Sequence, residues 1–139
     1  MKASGRLAVD TNAVIAYREG IEAVCAFVDG ADHLVVPAAV LGELLFGALN
    51  SAHRQKNEKA VKAFLSQSVL APVDESIATR YAHIRYDLKK IGRPIPENDL
   101  WIAATCLELE TGLLTSDRHF DCVEGLEVLH WPGESRRSP

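Results

Sequence analysis

The chain has 139 residues, 47% of them apolar and 24% charged. That is the core and surface of one ordinary domain, and it excludes a disordered or fibrous chain. A formal charge of -4 excludes binding of nucleic acid by bulk positive charge, so a polyanion would need a local basic surface or bound cations.

Cys25, Cys106 and Cys122 are odd in number and widely spaced, without a C-x-x-C. They argue against a disulfide framework and fit a reducing cytoplasm. Residues 1–6 carry no apolar signal-peptide core. No apolar run reaches the roughly 18–20 residues of a membrane span.

Leu7-Ala8-Val9 is a short apolar run ending at Asp10-Thr11-Asn12. It predicts a buried strand and a turn into a helix capped by Thr11 or Asn12. A second short helix is predicted over 22–28, with Asp29-Gly30-Ala31-Asp32 as a turn. His33-Leu34-Val35-Val36 reads as a strand stopped by Pro37. Residues 38–49 are rich in helix formers. Residues 51–66 are helical again, with Arg54, Lys56, Glu58, Lys59 and Lys62 mostly on one side.

Residues 68–73 look like a strand, and Asp74-Glu75-Ser76 like a helix start. Ile77, Tyr81, Ile84, Leu88 and Ile91 then recur at helical spacing as one apolar stripe. Gly92 ends that helix, and Arg93-Pro94-Ile95-Pro96 must be a loop. A compact helix is predicted over 98–110, ending at Gly112. Leu113-Leu114-Thr115 is a buried strand, 117–121 a loop or short helix, and 127–130 a last strand. Residues 133–139 read as a disordered tail, which leaves one domain over 1–132 without repeat or linker. Strands alternating with helices predict an α/β domain with a mostly parallel sheet. In such sheets functional groups collect beyond the carboxyl ends of the strands.

Four acids stand out. Asp10 and Asp117 each follow a predicted strand, which delivers both to that edge; the plainer account is that each caps the following helix. Glu43 is the lone charge between His33 and Arg54, in a segment so apolar that its helix should be buried nearly all round. A carboxylate there must face a cleft, meet a cation, or pair with a neighbouring arginine. Asp99 sits where acids favour a helix N-terminus, a purpose Glu97 and Asn98 serve equally well. Four converging carboxylates would repel one another, and a hard divalent cation resolves that while also binding phosphate oxygens.

Val9-Asp10-Thr11-Asn12, Gly42-Glu43-Leu44 with Gly47, Ile95-Pro96-Glu97-Asn98-Asp99 through Ile102-Ala103-Ala104, and Leu114-Thr115-Ser116-Asp117 with Phe120 resemble, in order, the motifs of PIN-domain ribonucleases. Within that family the nearest likeness is to the VapC-type toxins of bacterial type II toxin–antitoxin pairs, and it runs from about Leu7 to Val128. The resemblance implies a three-layer α/β/α sandwich around a five-stranded, mostly parallel sheet. It implies an Mg²⁺- or Mn²⁺-dependent endoribonuclease, often a homodimer, neutralised by a small antitoxin. By motif matching Asp10 and Asp99 would be direct metal ligands, with Glu43 and Asp117 completing the pocket directly or through water. Pro37 departs from the Ser or Thr that many relatives carry where the second motif's helix begins; this touches capping, not chemistry.

The expected reaction is in-line attack on phosphorus by a metal-activated water. No histidine is needed as a base; His119 alone lies in an acidic motif, as a structural, exposed or substrate-contacting side chain. Thr11, Asn12, Thr115 and Ser116 are suited to donate to the carboxylates, or are ordinary turn residues. Asp121 lies close enough to share or replace the role of Asp117. Arg80, Arg85, Lys89, Lys90, Arg93 and Arg118 could track an RNA backbone, or form a solvated surface. Trp101 reads as core or dimer packing before base stacking. The competing readings are a PIN nuclease of RNA processing or of DNA, a silent binding domain, and a phosphoacceptor receiver. The last needs a late lysine, and none follows Lys90.

Overall fold

The computed structural model describes residues 5–131, so the expected tail over 133–139 lies outside the described residues. The chain runs β1 (Arg6–Val9), α1 (Thr11–Arg18), α2 (Glu22–Gly30), β2 (His33–Pro37), α3 (Ala38–Leu49), α4 (Arg54–Ser66) and β3 (Val69–Ala71). It continues with α5 (Glu75–Lys90), α6 (Glu97–Glu108), β4 (Gly112–Leu114), a 3-10 turn (Arg118–Cys122) and β5 (Val128–Leu129). The strands form one sheet in the order β3-β2-β1-β4-β5, and every pairing is parallel. This is the α/β sandwich expected, with its sheet wholly rather than mostly parallel.

The central strands are apolar because helices cover a parallel sheet on both faces. Ala8, Val9, Leu113 and Leu114 are fully buried. The helices pack on one another in sequence pairs, α1 on α2, α3 on α4 and α5 on α6. Val9 pairs with Leu114, so the chain leaves β1 at Asp10 and β4 at Thr115 side by side. That register builds the site. Among the described residues no helix is long and apolar enough to cross a membrane.

Several local expectations change. The cap of α1 is Asp10, with extended backbone and a side chain accepting from the Ala13 N–H at 2.8 Å; Thr11 is already helical. Helix α2 runs on through Asp29 and Gly30, and the turn falls later, where the N–H groups of Asp32 and His33 both reach the Gly5 carbonyl. Residues 51–53 form a turn before α4.

In α5, Ile77, Ile84 and Leu88 are buried and Tyr81 half-buried, but Ile91 is 62% exposed. The chain turns away at Gly92, whose φ is +70°, and Arg93 N–H returns to the Leu88 carbonyl. Gly112 does not end α6; it pairs with Leu7 as the first residue of β4. The left-handed residue there is Glu110, with φ +53°. The largest departure is α3, which is not buried all round. Phe46 is 67% exposed and Leu49 also faces solvent.

Candidate active site

Asp10, Glu43, Asp99 and Asp117 line one cavity of about 1030 Å³, with Thr11, Asn12 and His119. Each acid arrives by a different route. Asp10 is the first residue beyond β1 and is nearly fully buried. One carboxylate oxygen accepts from the Ala13 N–H, and the other from the Thr115 hydroxyl. Capping and site duty are therefore not alternatives; the cap bond fixes the carboxylate.

Asp99 sits in the first turn of α6, on the helix that starts after Pro96. Glu43 projects from the middle of α3, half-buried. Its oxygens accept from the Thr11 hydroxyl and from the Asn98 side-chain amide, the latter at 2.8 Å. The partners are thus neutral donors and not the arginine of the structural alternative. Its position facing the cleft survives, although the fully buried helix on which that expectation rested does not.

Asp117 heads the 3-10 turn, accepting from the His119 N–H at 2.9 Å, while its own N–H donates to the Thr115 hydroxyl oxygen at 2.9 Å. The His119 ring Nδ1 lies 3.0 Å from a carboxylate oxygen of Asp99 and 3.0 Å from one of Asp117. Candidate ligand atoms of these three residues lie within 4.8 Å of one another.

The charges strain the site. Burial raises the Asp10 pKa from 3.8 to about 6, and Asp99 and Asp117 add to the rise, while the Thr115 and Ala13 hydrogen bonds offset part of it. Asp99 is also raised, chiefly by burial, with Asp117 and Glu43 adding and the His119 hydrogen bond opposing. Carboxylates pushed toward neutrality by burial, and further by one another, are stabilised as anions by a cation among them. The donor set, carboxylate oxygens plus one imidazole, fits a divalent cation.

The expected supporting residues divide. Thr11 and Thr115 donate to carboxylates, and Asn12 lines the cavity. Ser116 does not join them: it is exposed and borders a separate depression with Trp131. Asp121 does not stand in for Asp117, because its oxygens meet His130 at 2.8 Å and Arg118 at 3.4 Å, and the His130 bond chiefly holds its pKa low.

None of the six expected cations lines the acidic cavity. Arg80 pairs with Glu108, Arg85 with Glu97, Arg118 with Asp121, and Lys90 lies over the Tyr86 ring. Lys89 and Arg93 are exposed. Trp101 stacks on Tyr81 at 3.8 Å, which makes it a packing residue. The sequence reading missed the Asn98 amide on Glu43. It also missed Arg18 and Lys56, which line an adjoining groove of about 670 Å³ sharing Thr11 and Glu43 with the cavity. No local pattern marks them, since α1 and α4 meet only in the fold.

Residues 7–126 match the PIN domain. Ribonuclease VapC1 of Haemophilus influenzae is 34% identical over 102 residues, covering 72% of this chain and 75% of that protein. The solved structure of VapBC-1 from nontypeable Haemophilus influenzae superposes with a TM-score of 0.82 at 27% identity, over 91% of this chain and 98% of that one. VapBC-5 of Mycobacterium tuberculosis, a member of the VapBC family of toxin–antitoxin systems, superposes with a TM-score of 0.72 at 25% identity, over 91% and 97% of the two chains. The chain belongs to the PIN-domain family, among its VapC-type ribonucleases.

Proposed function

We propose that this ribonuclease is a divalent-metal-dependent endoribonuclease and the toxin of a toxin–antitoxin pair, using Mg²⁺ or Mn²⁺. The observation that carries the reading is the convergence of Asp10, Glu43, Asp99 and Asp117 on one cavity, with Asp10 and Asp99 raised by burial and mutual repulsion. In this reading Asp10 and Asp99 hold the cation directly, and Glu43 and Asp117 hold it directly or through water. When bound, the cation supplies an acidified water and offsets charge on the phosphate.

The chain's own groups prepare that chemistry. Thr115 fixes one Asp10 oxygen and Ala13 the other, leaving the carboxylate little rotational freedom. Thr11 and Asn98 hold Glu43 across the cavity. His119 Nδ1 lies 3.0 Å from an Asp99 oxygen, which places an imidazole at the edge of the acids. An RNA phosphate entering the cavity finds oxygen ligands already ordered, which lowers the entropy of reaching the reactive geometry. Arg18 and Lys56 in the adjoining groove supply positive charge for the strand on that side of the acids.

The partner in this reading is a small cognate antitoxin, supported by the likeness to VapBC-5. The remaining elements are a homodimer and action in the cytoplasm. The test is RNA cleavage by the purified chain with Mg²⁺, with Mn²⁺ and with EDTA. Cleavage is expected with either ion and absent with EDTA, and cleavage that persists in EDTA overturns the metal reading. Expression of the active chain is expected to arrest growth, with rescue by a small neighbouring gene. Active protein without arrest would point to RNA processing.

A further inference from the structure

Thr115 is the hub of the β4 corner. Its hydroxyl donates to Asp10 and accepts from the Asp117 N–H, and its own N–H donates to the Leu129 carbonyl. Its carbonyl oxygen accepts from His130 Nδ1 at 2.9 Å. The other nitrogen of that ring, Nε2, lies 2.8 Å from an Asp121 carboxylate oxygen. The ring thus meets an acceptor at each of its two nitrogens, a carbonyl at one and a carboxylate at the other. One imidazole therefore ties the first residue of the 115–121 segment to the last.

Asp117 and His119 lie inside the segment so closed. Phe120, 1% exposed, anchors its middle in the core. The His130 side chain is only 18% exposed, while Asp121 is 45% exposed. Asp117 has no helix of ordinary length to fix it, unlike Asp10 and Asp99. Its place depends on how tightly this segment is held.

We propose that His130 is a positioning residue for the metal site, stapling Thr115 to Asp121 and so fixing the Asp117 carboxylate between them. The inference rests on the metal reading above. Outer groups that orient ligands are worth about 10–100-fold in metal affinity. His130 acts at one remove from Asp117, so its loss belongs at the lower end of that range.

The test is Mn²⁺ affinity of the full chain by calorimetry. His130→Ala is expected to weaken binding about tenfold, and Asp121→Ala to weaken it less, in the same direction. Asp121→Asn keeps an oxygen acceptor for Nε2 and is expected to bind within about twofold of wild type. In an Asp117→Ala background, His130→Ala is expected to add less than about half its effect, because the two act through one group. If His130→Ala does not fold, the Asp121→Ala and Asp121→Asn pair carries the test on an exposed side chain.

Unchanged Mn²⁺ affinity in His130→Ala and Asp121→Ala overturns the proposal. So does an equal loss with and without Asp117, which would mean general loosening. A wild-type chain that binds no Mn²⁺ overturns the metal reading along with it. Wild-type binding that Asp10→Asn abolishes but His130→Ala leaves intact overturns the staple alone.

Discussion

At the β1 corner, Asp10 follows its strand directly and caps a helix, so backbone and side chain are fixed by one bond to Ala13. At the β4 corner, Asp117 comes three residues after Leu114 and heads only a 3-10 turn. The first corner is buried, and its carboxylate carries a raised pKa. The second is half exposed and is held by a relay through Thr115 and His130. The same sheet edge thus delivers one acid by local geometry and another by contacts that close only in the folded chain. Burial makes the first a fixed but proton-sensitive carboxylate, and exposure makes the second adjustable.

The largest expected effect separates these corners. Asp10→Asn should lower RNA cleavage by more than about a hundredfold, and Asp117→Asn by about tenfold, when initial rates are compared at saturating Mn²⁺. Equal losses would break the distinction between a buried carboxylate and an adjustable one.

Thr115→Val removes the hydroxyl that joins the corners and leaves the Asp117 N–H and one Asp10 oxygen without it. A loss of about 10–100-fold in activity and about 1–3 kcal/mol in stability is expected, read from cleavage rates and urea denaturation.

The raised Asp10 pKa gives a smaller effect with a definite sign. Between 3.8 and about 6 the folded chain holds a proton that the unfolded chain has lost, so stability of the metal-free protein falls as pH rises through that window. Above it the cost is complete. Asp10→Asn, which keeps the cap, should therefore stabilise the metal-free protein at pH 8 by about 1–3 kcal/mol in thermal denaturation. Metal affinity runs the other way and should weaken as pH falls through about 6, because the ligand is then protonated.

The smallest effect belongs to the α5 surface. Arg85→Ala and Arg93→Ala should change the RNA Kd by less than about twofold, since Arg85 already pairs with Glu97 and neither lines the cavity. Arg18→Ala and Lys56→Ala, in the groove that adjoins the acids, should weaken it more and reduce its salt dependence.

These differences mark what the sequence carried. An apolar run followed by an aspartate announces a strand end, so Asp10 and Asp117 and the edge they share were legible. Glu43 was found by its isolation among apolar residues, but the reasoning overstated burial, because an apolar helix can leave Phe46 and Leu49 exposed. Helix ends were misread where a glycine suggested a stop and a neighbour supplied it, as with Glu110 ahead of Gly112. The pairing of Arg80 was not legible, since Arg80 and Glu108 are far apart in the chain and meet only where α5 packs on α6. His130 left no trace for the same reason: its two partners come from a different stretch of the chain.

The most direct test of the central claim is anomalous scattering from crystals soaked in Mn²⁺. The account predicts a peak within coordination distance of both Asp10 and Asp99 carboxylates, lost in Asp99→Asn. A peak confined to Asp121 and His130, or none in crystals of a chain that cleaves RNA with Mn²⁺, would contradict it.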